Sequence, residues 1–273
     1  MGKIAVRVLD QGDGWRVTDV VCTSGPQDRP FEEVHSGVSI AIIAAGSFQY
    51  RSASGRELMT PGSLLLGNDG HLFECRHEHA AGDRCLAFHY TPEIFERLAA
   101  DAGGKPGFRT PRVPPLRVLS PLIARACAGR GRPADVPWEE LSIRLAAKTL
   151  QVVGGLLRNT STAPPDAVAR VTRTVRTIEQ HPDARLRLGS LAREAGLSPY
   201  HFLRTFERLT GVTPHQYILR ARLRAAATRL ATEPAKVLDV ALDCGFGDLS
   251  NFNHAFRTEF GVSPRAYRRR VSS

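Results

Sequence analysis

The sequence predicts an α+β multidomain chain: a small N-terminal β-barrel with two helices, then an all-α domain holding two helix-turn-helix units. Three observations carry this expectation. Residues 15–90 form a series of short β-rich runs broken by Gly and Pro. A stretch near the end of the chain occurs twice, at an offset of 49 to 50 residues. The positive charge gathers in that same doubled stretch.

The 273 residues carry 37 Lys and Arg against 27 Asp and Glu, a net charge of +10. At roughly 100–200 residues per domain, about two domains fit. With 42% hydrophobic residues the chain can build cores, which excludes global disorder. No apolar run approaches the roughly 18 residues of a membrane span. The opening stretch MGKIAVRVLDQGDG lacks the apolar centre of a secretory signal. Five cysteines, few and odd in number, argue against a disulfide scaffold. The expected compartment is the cytoplasm, with no membrane partner. The basic balance points to an anionic partner, nucleic acid first.

The expected strands are Trp15 to Thr23, Gly37 to Gly46, Ser47 to Arg51 and Ser63 to Gly67, followed by HLFECR and DRCLAFHY. Gly55, Pro61-Gly62, Gly70 and Gly82 supply the turns. Two helices are expected next, Leu116 to Arg130 and Trp138 to Arg158. The second carries Leu141, Leu145, Leu150, Val153 and Leu157 at mixed spacings of three to five residues. Its favoured role is contact with a second copy of the chain in a homodimer; the alternative is a cap on the barrel. The stretch STAPPD, Ser161 to Asp166, reads as a linker.

Past it, residues 164–273 hold 18 basic and 10 acidic side chains, a net +8, against +2 for residues 1–163. Seventeen of those 18 cations are Arg, whose planar fork suits phosphate oxygens and guanine edges. Here Leu191 to Tyr217 repeats as Val240 to Tyr267. Ala192 and Gly196 match Ala241 and Gly245, while Phe202, Phe206, Gly211, Pro214 and Tyr217 match Phe252, Phe256, Gly261, Pro264 and Tyr267. One extra residue enters just after the turn glycine, where insertion is cheap. Each copy reads helix, Gly turn, helix. Ser198 caps the second helix of the first copy, and Asp248 or Ser250 that of the second. Burying the Phe stripes leaves Tyr200, His201, Leu203, Arg204 and Arg208 outward in one copy, and Ser250, Asn251, Asn253, His254 and Arg257 in the other. Between them, Pro214 to Thr232 reads as a helix with Arg220, Arg222, Arg224 and Arg229 around its apolar positions. Its 19 residues span roughly 28 Å, close to the ~34 Å repeat of B-DNA. Such a rod could hold two recognition helices in successive major grooves.

The second copy, GFGDLSNFNHAFRTEFGVSPRAYRRR, resembles the signature of AraC/XylS-type transcription regulators. The resemblance covers roughly residues 168–270 and implies a seven-helix domain that binds double-stranded DNA through two helix-turn-helix units, 186–209 and 236–260. It implies base-edge positions at Tyr200, Leu203 and Arg204, and at Ser250, Asn253 and His254. Leu203 departs from the polar residue often found at its position, and His254 stands where Arg is common. The turn Thr60-Pro61-Gly62-Ser63 resembles the cupin-like sensor barrel that precedes the DNA-binding half in many such regulators. The expected division is therefore a sensor barrel over 1–100, a helical pair over 101–160, a linker over 161–167 and the DNA-binding domain over 168–270. RNA polymerase becomes a partner if the protein is an activator.

Residues Phe73 to Tyr90 hold the chemically distinctive side chains. Cys75, His77 and His79 alternate along one expected strand, and Cys85 and His89 along the next. If the two strands form a hairpin with His79 opposite Cys85, Cys75 meets His89 and four soft ligands converge. They would suit Zn²⁺ or another soft ion, with Glu78 and Asp83 as outer acceptors. A Cys75–Cys85 redox pair, an organic effector, and plain buried Cys and His are the competing readings. The function expected is a sequence-specific DNA-binding regulator answering to an unknown small-molecule or metal effector. The alternative is a cupin-type metal-dependent enzyme with an accessory nucleic-acid-binding domain. It is disfavoured because Glu78 points away from His77 and His79, and no nucleophile elbow, P-loop or dinucleotide fingerprint is present. An enzyme is not expected.

Overall fold

The structure, a computed structural model, describes residues 2–77, 82–131, 133–155 and 164–272. Its N-terminal part is built from ten strands: β1 (Ile4–Gly12), β2 (Trp15–Cys22), β3 (Phe31–Val34), β4 (Val38–Gly46), β5 (Phe48–Ser52), β6 (Gly55–Met59), β7 (Leu64–Gly67), β8 (Leu72–Arg76), β9 (Asp83–Tyr90) and β10 (Arg112–Val113). They form two sheets, ordered β1-β2-β9-β4-β7-β10 and β3-β8-β5-β6. Strands β4 and β9 sit at the centre of the first sheet because both of their faces are apolar. Ile40, Ile42, Leu86 and Phe88 pack outward under helices, while Ala41, Ile43, Cys85 and Ala87 face Phe48 and Tyr50 of the second sheet.

Strands β1, β3, β6 and β10 escaped the sequence reading. Strand β1 is an edge strand with Val6 and Val8 exposed, so burial does not reinforce its apolar alternation. Helix α1 (Pro92–Asp101) also went unforeseen, although Thr91 caps it and Pro92 opens it. The expected hairpin of β8 with β9 is corrected. Strand β8 pairs with β3 and β5, and β9 with β2 and β4. The half-exposed β8 suits a one-sided sheet, whereas β9 requires cover on both faces.

Helices α2 (Ser120–Gly129) and α3 (Trp138–Gly155) lie where two helices were expected. Leu141, Leu145 and Leu150 of α3 bury against the first sheet, and Trp138 packs against Phe88. The Tyr90 hydroxyl donates to the Ser142 carbonyl at 2.9 Å. The stripe expected to face a second copy thus closes the sheet within the chain. Leu157 lies outside the described residues, as do Ser161–Ala163 of the expected linker.

The C-terminal part comprises α4 (Pro165–Gln180), α5 (Leu188–Glu194), α6 (Pro199–Thr210), α7 (Pro214–Thr232), α8 (Val237–Asp243), α9 (Leu249–Phe260) and α10 (Pro264–Ser272). The sequence doubling is a structural doubling. Gly196 and Gly245 turn with φ of +63° and +84°, and Gly211 and Gly261 end the second helices left-handed. Phe206 meets Tyr217 edge-on at 5.7 Å, and Phe256 meets Tyr267 at 5.4 Å. Each unit therefore has its own aromatic core, and α7 contributes to both.

Phe256 touches the rings of Phe252, Phe260 and Tyr267. Phe256→Ala should cost about 3–5 kcal/mol through lost burial and the cavity left behind. Urea unfolding followed at the C-terminal part checks this; a loss under 1 kcal/mol would mean the cluster repacks.

Candidate functional site

The two second helices of the doubled unit are built alike. Ser198 accepts from the His201 amide at 3.3 Å and Asp248 from the Asn251 amide at 2.7 Å, so Asp248 rather than Ser250 is the cap. In α6, Phe202, Phe206 and Thr210 are buried, which turns Tyr200, His201, Arg204 and Arg208 to the surface. Tyr200 is 62% exposed, and Arg204 donates to its hydroxyl at 3.1 Å. Leu203 is half-buried. In α9, Phe252, Phe256 and Phe260 are buried, leaving Ser250, Asn251, Asn253, His254 and Arg257 exposed. Each unit thus offers a polar, partly cationic helix face with its own amide donors at the exposed start.

The arginines of α7 do something different from what their number suggests. Arg220 donates to the Pro115 carbonyl at 2.5 Å and lies 3.6 Å from Glu259. Arg222 donates to the Pro182 and Ala184 carbonyls. Arg224 pairs with Glu179, and Arg229 with Glu233 and Asp243. All four hold the fold together, so the cations left for an outside anion belong to other elements.

One short segment ties the two halves. The side chain of Arg112 is 8% exposed; it pairs with Glu57 of β6 at 2.9 Å and donates to the Thr210 carbonyl, at the end of α6, at 3.1 Å. A Cβ at Gly211 would meet Pro114 at 2.4 Å, so glycine allows this close approach. Ser120, opening α2, donates to Glu259 near the end of α9. Residues 112–120 therefore bridge the last turns of both outward-facing helices, while Arg112 and Val113 pair with β7 of the first sheet.

Inside the N-terminal part the expected ligand set divides. His89 faces Thr18 at 3.2 Å, and its register neighbour is Ser39. Ser39 in turn bonds His35, whose other nitrogen lies 2.9 Å from the Tyr50 hydroxyl. Phe73 stacks on His35 at 4.2 Å. This is a polar group at one end of the space between the sheets. At the other end, the side chains of His77 and Asp83 are 2% and 7% exposed and 2.6 Å apart. The Cys85 thiol donates to the second Asp83 oxygen at 3.1 Å. Cys22, which the sequence reading passed over, joins them because it is the register partner of Asp83. Cys75 lies in the second sheet and packs at the edge of the same core. His79 and Glu78 lie outside the described residues. The convergence expected through a β8–β9 hairpin is therefore corrected: His89 belongs to a separate group. Burial pushes the Cys75 and Cys85 thiols well up, so little thiolate is available to a redox pair.

Burial also lowers His35 and His89 to about 4 from an ordinary 6.5. The unfolded chain binds protons on these residues first, so protonation favours unfolding between those two values. Stability should be level above pH 6.5 and fall as the pH drops toward 4. Melting temperatures across that range check this, with a His35→Asn/His89→Gln variant expected to slope less. Identical slopes would remove these histidines as the cause.

Residues 191–270 match the model of a helix-turn-helix domain, and residues 20–147 that of the AraC-like ligand binding domain. The transcriptional activator NphR of Rhodococcus is 40% identical over 151 residues, 54% of this chain and 43% of NphR. The probable transcriptional regulator LumQ of Photobacterium leiognathi is 39% identical over 90 residues, 33% of this chain and 36% of LumQ. The chain thus spans less than half the length of these two relatives. The regulatory protein SoxS of Salmonella typhimurium is 34% identical over 94 residues, which are 34% of this chain and 88% of SoxS. Among the described residues no helix is long and apolar enough to cross a membrane. With a ligand-binding domain placed ahead of a doubled helix-turn-helix, the chain belongs to the AraC family of transcriptional regulators.

Proposed function

We propose that residues 168–270 bind double-stranded DNA with α6 and α9 in successive major grooves, and that the two-sheet half controls this binding in answer to an effector. The observation that carries the reading is the pair of matched, outward polar helices on one 19-residue rod. In this reading Tyr200, Arg204, Ser250, Asn253 and His254 reach base edges, with Leu203 against a thymine methyl. Arg208 and Arg257, one turn further along, suit phosphates. A second copy of the chain on a repeated half-site, and RNA polymerase beside it, are the partners this reading adds. It describes a binding protein rather than an enzyme.

Control would run through residues 112–120. An effector settling between the sheets shifts β6 or β7, and Arg112 passes the shift to the end of α6. Ser120 and Arg220 link the same segment to α9 through Glu259. The segment therefore sets how the N-terminal half stands against the ends of both recognition helices, while α7 keeps the two helices in register. The effector then acts by favouring one arrangement, and DNA must in return change effector affinity.

DNA affinity should fall linearly on a log–log salt plot, with a slope of about −0.9 per phosphate contact. Arg257→Ala should make that slope shallower by roughly one contact. Arg204→Ala should cost about 1–3 kcal/mol and relax preference at one base pair; equal weakening on every sequence would make Arg204 a phosphate contact instead. Arg112→Met should weaken operator binding at least ~5-fold, the low end of coupling energies, and leave the salt slope unchanged. Unaltered affinity in that variant would remove the tether from the mechanism, and a flat salt plot in the wild type would sink DNA binding.

A further inference from the structure

The structure assigns a binding site for a zinc-class divalent metal ion to Cys22, His77 and Asp83, at one end of the space between the two sheets. Three separate parts of the chain bring the donors together. Cys22 ends β2, His77 follows β8, and Asp83 opens β9. The Cys22 sulfur, a His77 nitrogen and an Asp83 oxygen all lie within 4.8 Å of one another. Cys22 and Asp83 are register partners on adjacent strands, so the pleat puts both side chains on the same face. On the other flank of Asp83 stands Gly46, where a Cβ would meet the Gly82 carbonyl at 2.4 Å and the Asp83 Cα at 2.7 Å. Glycine thus allows the close backbone approach that seats Asp83 beside β4.

The donor set fits the ion. One sulfur, one imidazole nitrogen and one carboxylate oxygen are zinc ligands, with bonds of roughly 2.0–2.3 Å. A thiolate and a carboxylate carry two negative charges, so a divalent cation makes the buried site neutral. Among the described residues the partners of Asp83 are His77 and the Cys85 thiol, with no Arg or Lys. Binding replaces the 2.6 Å His77–Asp83 hydrogen bond with two metal bonds. The Cys22 proton, and any proton shared by His77 and Asp83, go to solvent. Cys85 stays outside the donor set and orients Asp83 through its 3.1 Å hydrogen bond. Three protein donors leave one tetrahedral position open, as in zinc sites that take an exogenous ligand. Relative to the set expected in sequence, the site gains Cys22 and Asp83 and keeps only His77, and it does not depend on DNA binding.

The test uses the full chain, reduced and stripped with a chelator, then titrated with Co²⁺ and with Zn²⁺. Expected are one equivalent of tightly held metal per chain, a thiolate-to-cobalt charge-transfer band, and a melting temperature that rises with Zn²⁺ concentration. Cys22→Ser should abolish the band, and Asp83→Asn and His77→Gln should each weaken uptake at least ~10-fold, whereas Cys127→Ser, on α2, should behave as wild type. Metal-free melting of each variant separates loss of ligation from loss of fold. If a variant fails to fold, the wild-type stoichiometry, band and Zn²⁺-dependent melting decide. Absence of a cobalt band in the wild type overturns the assignment. So does a band that survives Cys22→Ser, or one lost in Cys75→Ser but kept in Asp83→Asn.

Discussion

The arrangement of the C-terminal half rests on how α7 disposes of its arginines. A 19-residue helix between two helix-turn-helix units has to be rigid to keep them in register. Its apolar positions alone would let either unit rock. The guanidinium groups remove that freedom. Arg222 reaches back to the carbonyls of Pro182 and Ala184, just after α4, and Arg224 reaches Glu179 within it. Arg229 reaches forward to Asp243 at the end of α8. Each is a charge-assisted hydrogen bond to a fixed acceptor, shorter and more directional than one between neutral groups. The net charge of +8 in this half is therefore an unreliable map of where DNA would lie. At least six of its cations are structural, the four on α7 together with Arg170 and Arg268, and the outward faces are defined by the aromatic stripes that turn α6 and α9 to the surface.

The same economy governs the join between the halves. Arg220 on α7 meets both the Pro115 carbonyl and Glu259, so the rod is tied to the N-terminal half at the point where α9 ends. Arg112 does the equivalent where α6 ends. Burying Arg112 without Glu57 and the Thr210 carbonyl would leave an uncompensated cation, which is strongly unfavourable. The contact is therefore close to all-or-none: it is made with both partners or given up. That is the property a switch requires, since packed and paired interfaces tend to pass between discrete arrangements rather than deform gradually.

The helical half was legible in the sequence because its information is local and stated twice. Gly196 with Gly245, Phe206 with Phe256 and Tyr217 with Tyr267 fix turn, core and close in each copy, and the expected rod, Pro214–Thr232, coincides with α7. Every residue expected to face outward on α6 and α9 is exposed except Leu203, which is half-buried because its side lies next to the Phe202–Phe206 stripe. The β half was legible only strand by strand. Six of its strands stand where β-rich runs occur, yet their pairing is set by partners far along the chain. Cys22 meets Asp83 only because β2 lies beside β9, and nothing near Cys22 announces that neighbour. The short spacing of Cys75, His77 and Cys85 suggested a hairpin, and the two-faced apolarity of β9 overrode it.

This difference decides where chemistry can be read. Residues that share one outward helix face, as Arg204 does on α6 and Asn253 on α9, can be found from periodicity because the face is a property of the segment. Residues that act from a convergence of strands cannot. For those, the useful sequence sign is a polar or soft donor at an inward position of a strand whose other inward residues are apolar. Cys22 satisfies it after Val20, and Asp83 before Cys85 and Ala87. His89, by the same rule, marks the opposite end, where His35, Ser39, Tyr50 and Thr18 surround it. The space between the sheets thus has two polar ends separated by Ala41, Ile43, Leu65 and Ala87. One end offers sulfur and carboxylate, which suit a metal. The other offers imidazoles and hydroxyls, and through Ser39 it pairs with Gly67 of β7, the strand that also pairs with Arg112.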